Sequence, residues 1–122
     1  MEMTTYYLGL IKKGRTWTAD ESPELDQLQT AHLAHIQALT DAGKVVTAGP
    51  LLDDGFLRGI YVFRAESIEE AQSFADADPM VKVNRLVVEI HPWMVPANGW
   101  PGPANGWPEP AKEWPGPAGE QP

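Results

Sequence analysis

The chain has 122 residues, no cysteine, 9 basic against 17 acidic side chains and a net charge of −8, which leaves room for one core and excludes disulfides, thiolate chemistry and a cysteine-based zinc site. The acidity is spread along the chain and no basic stripe is interleaved with aromatics, so neither nucleic acid nor an anionic membrane is an expected partner. No run approaches the roughly 20 apolar residues of a membrane span, and no basic segment followed by a long apolar run opens the chain, so a cytoplasmic protein is expected.

The run from Thr4 to Ile11 (TTYYLGLI) is β-branched and aromatic and breaks at Lys12, Lys13 and Gly14, which predicts a first strand. After a polar loop, Ser22-Pro23-Glu24 is a helix start: a hydroxyl to cap free amides, a proline where no donor is needed, and an acid in the first turn. Leu25, Leu28, Leu33, Ile36 and Leu39 keep helical spacing up to Gly43, a C-terminal cap. Residues 44–52 (KVVTAGPLL) predict a second strand, Asp53-Asp54-Gly55 a tight turn, and residues 56–65 a third strand antiparallel to the second.

Ser67-Ile68-Glu69-Glu70 has capping-box spacing and opens a shorter helix with Ile68, Ala71 and Phe74 on one face, ending before Pro79. From Val83 to His91 the pattern alternates, with Leu86, Val88 and Ile90 against Arg85, Glu89 and His91, which predicts a fourth strand. The order βαββαβ, closed by right-handed crossovers, is an α+β ferredoxin-like fold: a four-stranded antiparallel sheet with two helices on one face. The other face carries alternating apolar and aromatic side chains, and a second copy of the chain is the expected cover, because a domain of roughly 95 residues buries only about 60–65% of its unfolded surface. A homodimer is therefore expected.

Beyond Trp93 the composition changes. Three seven-residue units, ANGWPGP, ANGWPEP and AKEWPGP, bring Trp100, Trp107 and Trp114 into equivalent places, and nine of the twelve prolines lie between Pro92 and Pro122. Proline denies ladder hydrogen bonds, so residues 97–122 read as a repetitive, disordered tail and residues 1–96 as the folded domain. A Pro/Trp ligand for a partner groove is the functional reading of those repeats.

Few residues are equipped for chemistry. At about 100° per residue, Leu25, Leu28, Ile36 and Leu39 form a narrow stripe on the first helix with His32 at its centre, which turns a titratable ring toward the sheet. It reads either as a core histidine bonded to a carbonyl or as an acid–base group. His35 lies at the stripe's edge and is expected to be solvated. The two rings diverge by roughly 60°, and no further histidine spacing supports metal ligation, so no metal and no cofactor are expected. In Ala77-Asp78-Pro79, Asp78 is either a turn former or the acceptor that orients His32. No phosphate loop, nucleophile elbow or nucleotide fingerprint occurs.

These residues together resemble the YciI-like, or YCII-related, family. Ala31-His32-Leu33, Gly43, Thr47-Ala48-Gly49-Pro50-Leu51, Glu69-Glu70-Ala71, Ala77-Asp78-Pro79 and Glu89-Ile90-His91-Pro92-Trp93 fall in the family's order, over roughly residues 4 to 95. The resemblance implies a ferredoxin-like dimer forming an α/β barrel, with His32 and Asp78 as the catalytic pair in a pocket. It also implies lyase or isomerase chemistry, as in a YciI-like dehydrochlorinase, on a cyclic or aromatic small molecule. The alternative from another class is a non-catalytic dimeric ligand-binding or regulatory module.

Overall fold

A computed structural model describes residues 2–97. The repeated Trp/Pro units expected to form a disordered tail lie, after Ala97, outside the described residues. The elements run β1 (Met3–Lys13), α1 (Pro23–Asp41), β2 (Val45–Pro50), β3 (Leu57–Phe63), α2 (Ile68–Asp76), α3 (Pro79–Lys82) and β4 (Leu86–Pro96). The strands form one sheet in the order β2-β3-β1-β4 with every neighbouring pair antiparallel. This is the ferredoxin-like α+β fold that the element order predicts.

Local chemistry places the helices. Ser22 is extended, and its hydroxyl accepts from the Leu25 amide at 3.2 Å with Pro23 in the first turn, so two of the helix's orphan amides need no partner from elsewhere. At the other end Gly43 takes φ +77°, which lets the Lys44 amide reach the Leu39 carbonyl at 2.8 Å. The Ser67 hydroxyl caps α2 through the Glu70 amide at 3.1 Å. The Glu70 carboxylate reaches back one residue further than a capping box requires, to the Glu66 amide at 2.7 Å.

Two features depart from the sequence expectation. Residues 79–82 form a separate short helix that a four-residue segment cannot announce by periodicity. The last strand begins at Leu86 and runs through Pro92 to Pro96 instead of spanning 83–91. Strand β4 lies at an edge of the sheet, where a residue without an N–H can face away from the ladder and leave pairing to β1 intact.

The side chains of the helix-facing side make the main core, in which Tyr61, Phe63, Leu86, Val88 and Ile90 meet Ala71 and Ala75 of α2 and Met80 of α3. Tyr61 and Phe63 stack at 4.7 Å between centroids. That stack depends on Gly9, since a Cβ there would stand 3.0 Å from Val88 Cγ1, 3.2 Å from Phe63 Cε2 and 3.2 Å from Tyr61 Cβ. Helix α1 rests on this core through Leu28, Ile36 and Leu39 but buries none of its residues fully, and Leu33 remains 45% exposed. The opposite face of the sheet carries a second apolar cluster, Tyr6, Val62 and Val95, flanked by Leu8, Val46, Ile60 and Trp93. No helix among the described residues is long and apolar enough to cross a membrane.

Candidate active site

Strand β3 places Tyr61 on the helix side of the sheet, α1 carries His32 over it, and the junction between α2 and α3 delivers Asp78 between the two. Asp78 is the one buried charged residue among those described, with no exposed surface. A carboxylate in such a place needs donors on its lone pairs, because desolvation without them costs several kcal/mol, on the order of 3 to 5 when one partner of a buried pair is removed. Three donors converge. His32 Nδ1 lies 2.7 Å from Oδ2, the Tyr61 hydroxyl donates to the same oxygen at 2.8 Å, and the Met80 amide donates to Oδ1 at 2.9 Å. The last bond also makes Asp78 the N-cap of α3, with Pro79 as the first helical residue. The turn-forming and histidine-orienting readings of Asp78 are therefore carried by different oxygens of one carboxylate.

The electrostatics follow from this arrangement. Burial by itself pushes the Asp78 carboxyl up, but the hydrogen bond and charge of His32, the Met80 amide and the Tyr61 hydroxyl together hold it below the ordinary carboxylate value. Tyr61 moves the other way. Its phenol is raised above its ordinary value, first by burial and then by the charge and hydrogen bond of Asp78, so it stays a protonated donor. Because an ionised carboxylate has no hydrogen to offer, His32 presents N–H at Nδ1 in either charge state, and in the neutral ring Nε2 carries the lone pair. No hydrogen bond to Nε2 exists among the described residues, and the His32 side chain is 13% exposed. The ring is thus held at one nitrogen and open at the other.

The other two histidines lie elsewhere. His35, expected to be solvated, is half-buried and donates from Nε2 to the Phe74 carbonyl at 2.9 Å. The last carbonyls of a helix lack intrahelical donors, and a ring on the neighbouring helix satisfies this one. His91 lies on the opposite face of the sheet beside Glu89, which also pairs with Lys12; Lys12 first, and then His91, holds the Glu89 carboxyl below its usual value. Among the described residues no three His, Asp or Glu side chains are grouped to hold a metal ion.

Sequence reasoning did not single out Tyr61, which lies in the alternating run LRGIYVF and reads there as a packing aromatic. A usable signal was present, since a tyrosine at an inward position of a central strand needs a partner for its hydroxyl. Trp17 was also missed. Lys13 Nζ lies 4.2 Å from its ring centroid, and the guanidinium carbons of Arg58 and Arg85 each lie 5.2 Å away.

The family described as the YCII-related domain matches residues 6–94. The proteins named YciI of Escherichia coli O6:H1 and of Shigella flexneri are each 39% identical over 71 residues, covering 52% of this chain and 72% of theirs. Among solved structures, the 5-chloro-2-hydroxyhydroquinone dehydrochlorinase of Burkholderia phenoliruptrix AC1100, in complex with 2,5-dihydroxybenzoquinone, superposes with a TM-score of 0.53 at 23% identity. That alignment covers 74% of this chain and 93% of the dehydrochlorinase, and at this identity the likeness is one of fold.

Proposed function

This chain belongs to the YCII-related domain family, and on that footing we propose that it is a small-molecule enzyme of lyase or isomerase type. In this reading His32 moves a proton on a cyclic or aromatic substrate and Asp78 orients the ring. The observation that carries it is the His32 ring itself, tied at Nδ1 to a buried carboxylate and unpartnered at Nε2 among the described residues. A base needs an orienting partner on one nitrogen and a reachable lone pair on the other. In an elimination the substrate proton goes to Nε2 and the leaving group departs with its bonding pair. In an isomerisation the same nitrogen returns the proton to a second position. Tyr61 keeps Asp78 ionised and in place without touching the substrate. The dehydrochlorinase that shares the fold is named for a chlorinated hydroxyhydroquinone, which supports a phenolic or quinonoid ring as the first substrate class to try.

The same proposal includes a homodimer through the sheet face opposite the helices, where Leu8, Val46, Ile60 and Trp93 surround Tyr6, Val62 and Val95. Light scattering of the full chain at micromolar concentration tests it, and a monomeric mass would overturn the dimer.

Purified full chain, screened by thermal shift against phenolic and lactone libraries and then assayed for turnover of the hits, tests the enzyme reading. His32→Asn should lower turnover by roughly 10²–10⁴-fold, the usual share of a general base. One specific observation favours a second reading, a binding or regulatory module. Asp78 already has donors on both oxygens and also caps α3, so the network is complete as a structural device. Hits that stabilise the protein without being converted, equally in wild type and His32→Asn, would establish that second reading.

A further inference from the structure

Three of the nine basic side chains of this acidic chain gather on one indole. Lys13 comes from the end of β1, Arg58 from the start of β3 and Arg85 from the residue before β4, and because β3 and β4 both run antiparallel to β1, the sheet brings them to one end. All four residues are half-buried. Like charges around one ring repel, and the less water there is between them the less that repulsion is screened. Among the described residues the one carboxylate in contact with the three is Asp54, 3.3 Å from Arg58 Nη1 and itself almost fully exposed. Backbone carbonyls fix two of the cations: Arg58 donates to Gly55 at 2.8 Å and Arg85 to Thr18 at 3.0 Å. Each guanidinium has five N–H donors, so most of them remain for something else.

This cluster is built onto the same turn as the acid–base group. The Arg85 amide donates to the Met80 carbonyl at 2.9 Å, and the Met80 amide donates to Asp78 Oδ1 at 2.9 Å. The loop carrying Trp17 is fastened to that segment by Gly14 and Thr16 amides on the Arg85 and Asn84 carbonyls, at 2.7 and 3.0 Å. Trp17 packs against the core that contains Tyr61 and Met80. We infer that Lys13, Arg58 and Arg85, held against Trp17, bind the oxyanion group of a small cyclic acid, a carboxylate or an ionised ring hydroxyl, and so set the substrate class of the enzyme. The inference rests on the acid–base reading of His32 for its link to turnover, and on the cation cluster alone for binding. Paired guanidinium and ammonium donors match an oxyanion in charge and geometry, and a neutral isostere would leave the cations uncompensated.

The test is an NMR titration of the full chain at low salt and pH 7 with benzoate, benzamide and inorganic phosphate, following the Trp17 indole N–H, assigned by its loss in Trp17→Phe, together with the His32 ring signals. Benzoate should move both residues saturably, and benzamide neither. Lys13→Gln and Arg58→Gln should each weaken benzoate by roughly tenfold, the value of one charge-assisted contact. Equal responses to benzoate and benzamide, or variants that bind benzoate like the wild type, would overturn the anion site. Phosphate binding as tightly as benzoate would overturn the cyclic acid as its ligand, and benzoate moving Trp17 with His32 unmoved would overturn its place beside the acid–base group. The readout needs no turnover, so a failed enzyme reading leaves this titration interpretable, and a failed titration leaves the kinetics of His32→Asn interpretable.

Discussion

The Tyr61 hydroxyl and Asp78 Oδ2 lie 2.8 Å apart, and neither residue has exposed surface. Tyr61→Phe removes this donor while keeping the ring that stacks on Phe63. A hydrogen bond to a charged group is worth about 1.5–3 kcal/mol, so urea denaturation of Tyr61→Phe should show a loss of that size. His32 still holds Asp78 in this variant, and turnover should change far less than in His32→Asn. An unchanged urea midpoint would mean that another donor replaces the phenol.

Acid should expose the contribution of Asp78. Its folded-state carboxyl is held below the ordinary value by His32, the Met80 amide and Tyr61 against the opposing effect of burial, whereas an unfolded aspartate titrates near ~3.9. Below that value the unfolded chain takes up a proton that the folded chain refuses, so folding weakens as pH falls. The stabilisation is fully present above about pH 5 and disappears as pH drops through the folded value, which lies under ~3.9. Urea midpoints of wild type and Asp78→Asn should therefore differ most near neutrality and converge toward pH 3. A gap that stays constant over that range would refute the linkage.

Asp78→Asn should also switch the His32 tautomer. The Met80 amide that now meets Oδ1 cannot become an acceptor, so the amide oxygen takes that side and its NH₂ turns toward His32 and Tyr61. The imidazole answers by accepting at Nδ1 and carrying its hydrogen on Nε2, which removes the lone pair from the open side. Nitrogen-15 chemical shifts of the neutral ring distinguish the two forms. Turnover should fall by roughly 10²–10⁴-fold, as for loss of the base itself. Retention of the Nδ1–H form in the variant would show that Asp78 does not select the tautomer.

His35 provides the contrast on the same helix. His35→Ala leaves the Phe74 carbonyl without its donor and should cost about 1 kcal/mol, with the loss seen in faster amide exchange in the last turn of α2. Turnover should stay within a few-fold of wild type, because this ring bonds to a backbone carbonyl and not to the Asp78 network. A kinetic loss matching that of His32→Asn would place His35 in the reaction.

Sequence by itself determined the elements whose signals are local. Ser22-Pro23-Glu24 and Ser67 with Glu70 cap helices through atoms within a few residues of one another, and the alternation of Leu86, Val88 and Ile90 marks the buried face of the last strand whatever it pairs with. His32 and Asp78 were legible too, the first by its place in an apolar stripe and both by family resemblance. Tertiary structure alone decided how they are used. The partners of Asp78 come from α1, β3 and α3, with 46 residues separating it from His32 and 17 from Tyr61, and no periodicity reports a contact across such separations. The sheet order sets β4 at an edge, which is why a strand runs through Pro92 where the sequence argued for its end. It also draws Lys13, Arg58 and Arg85 onto Trp17. Along the chain those cations lie far apart, and only the folding of three strand ends to one end of the sheet brings them together.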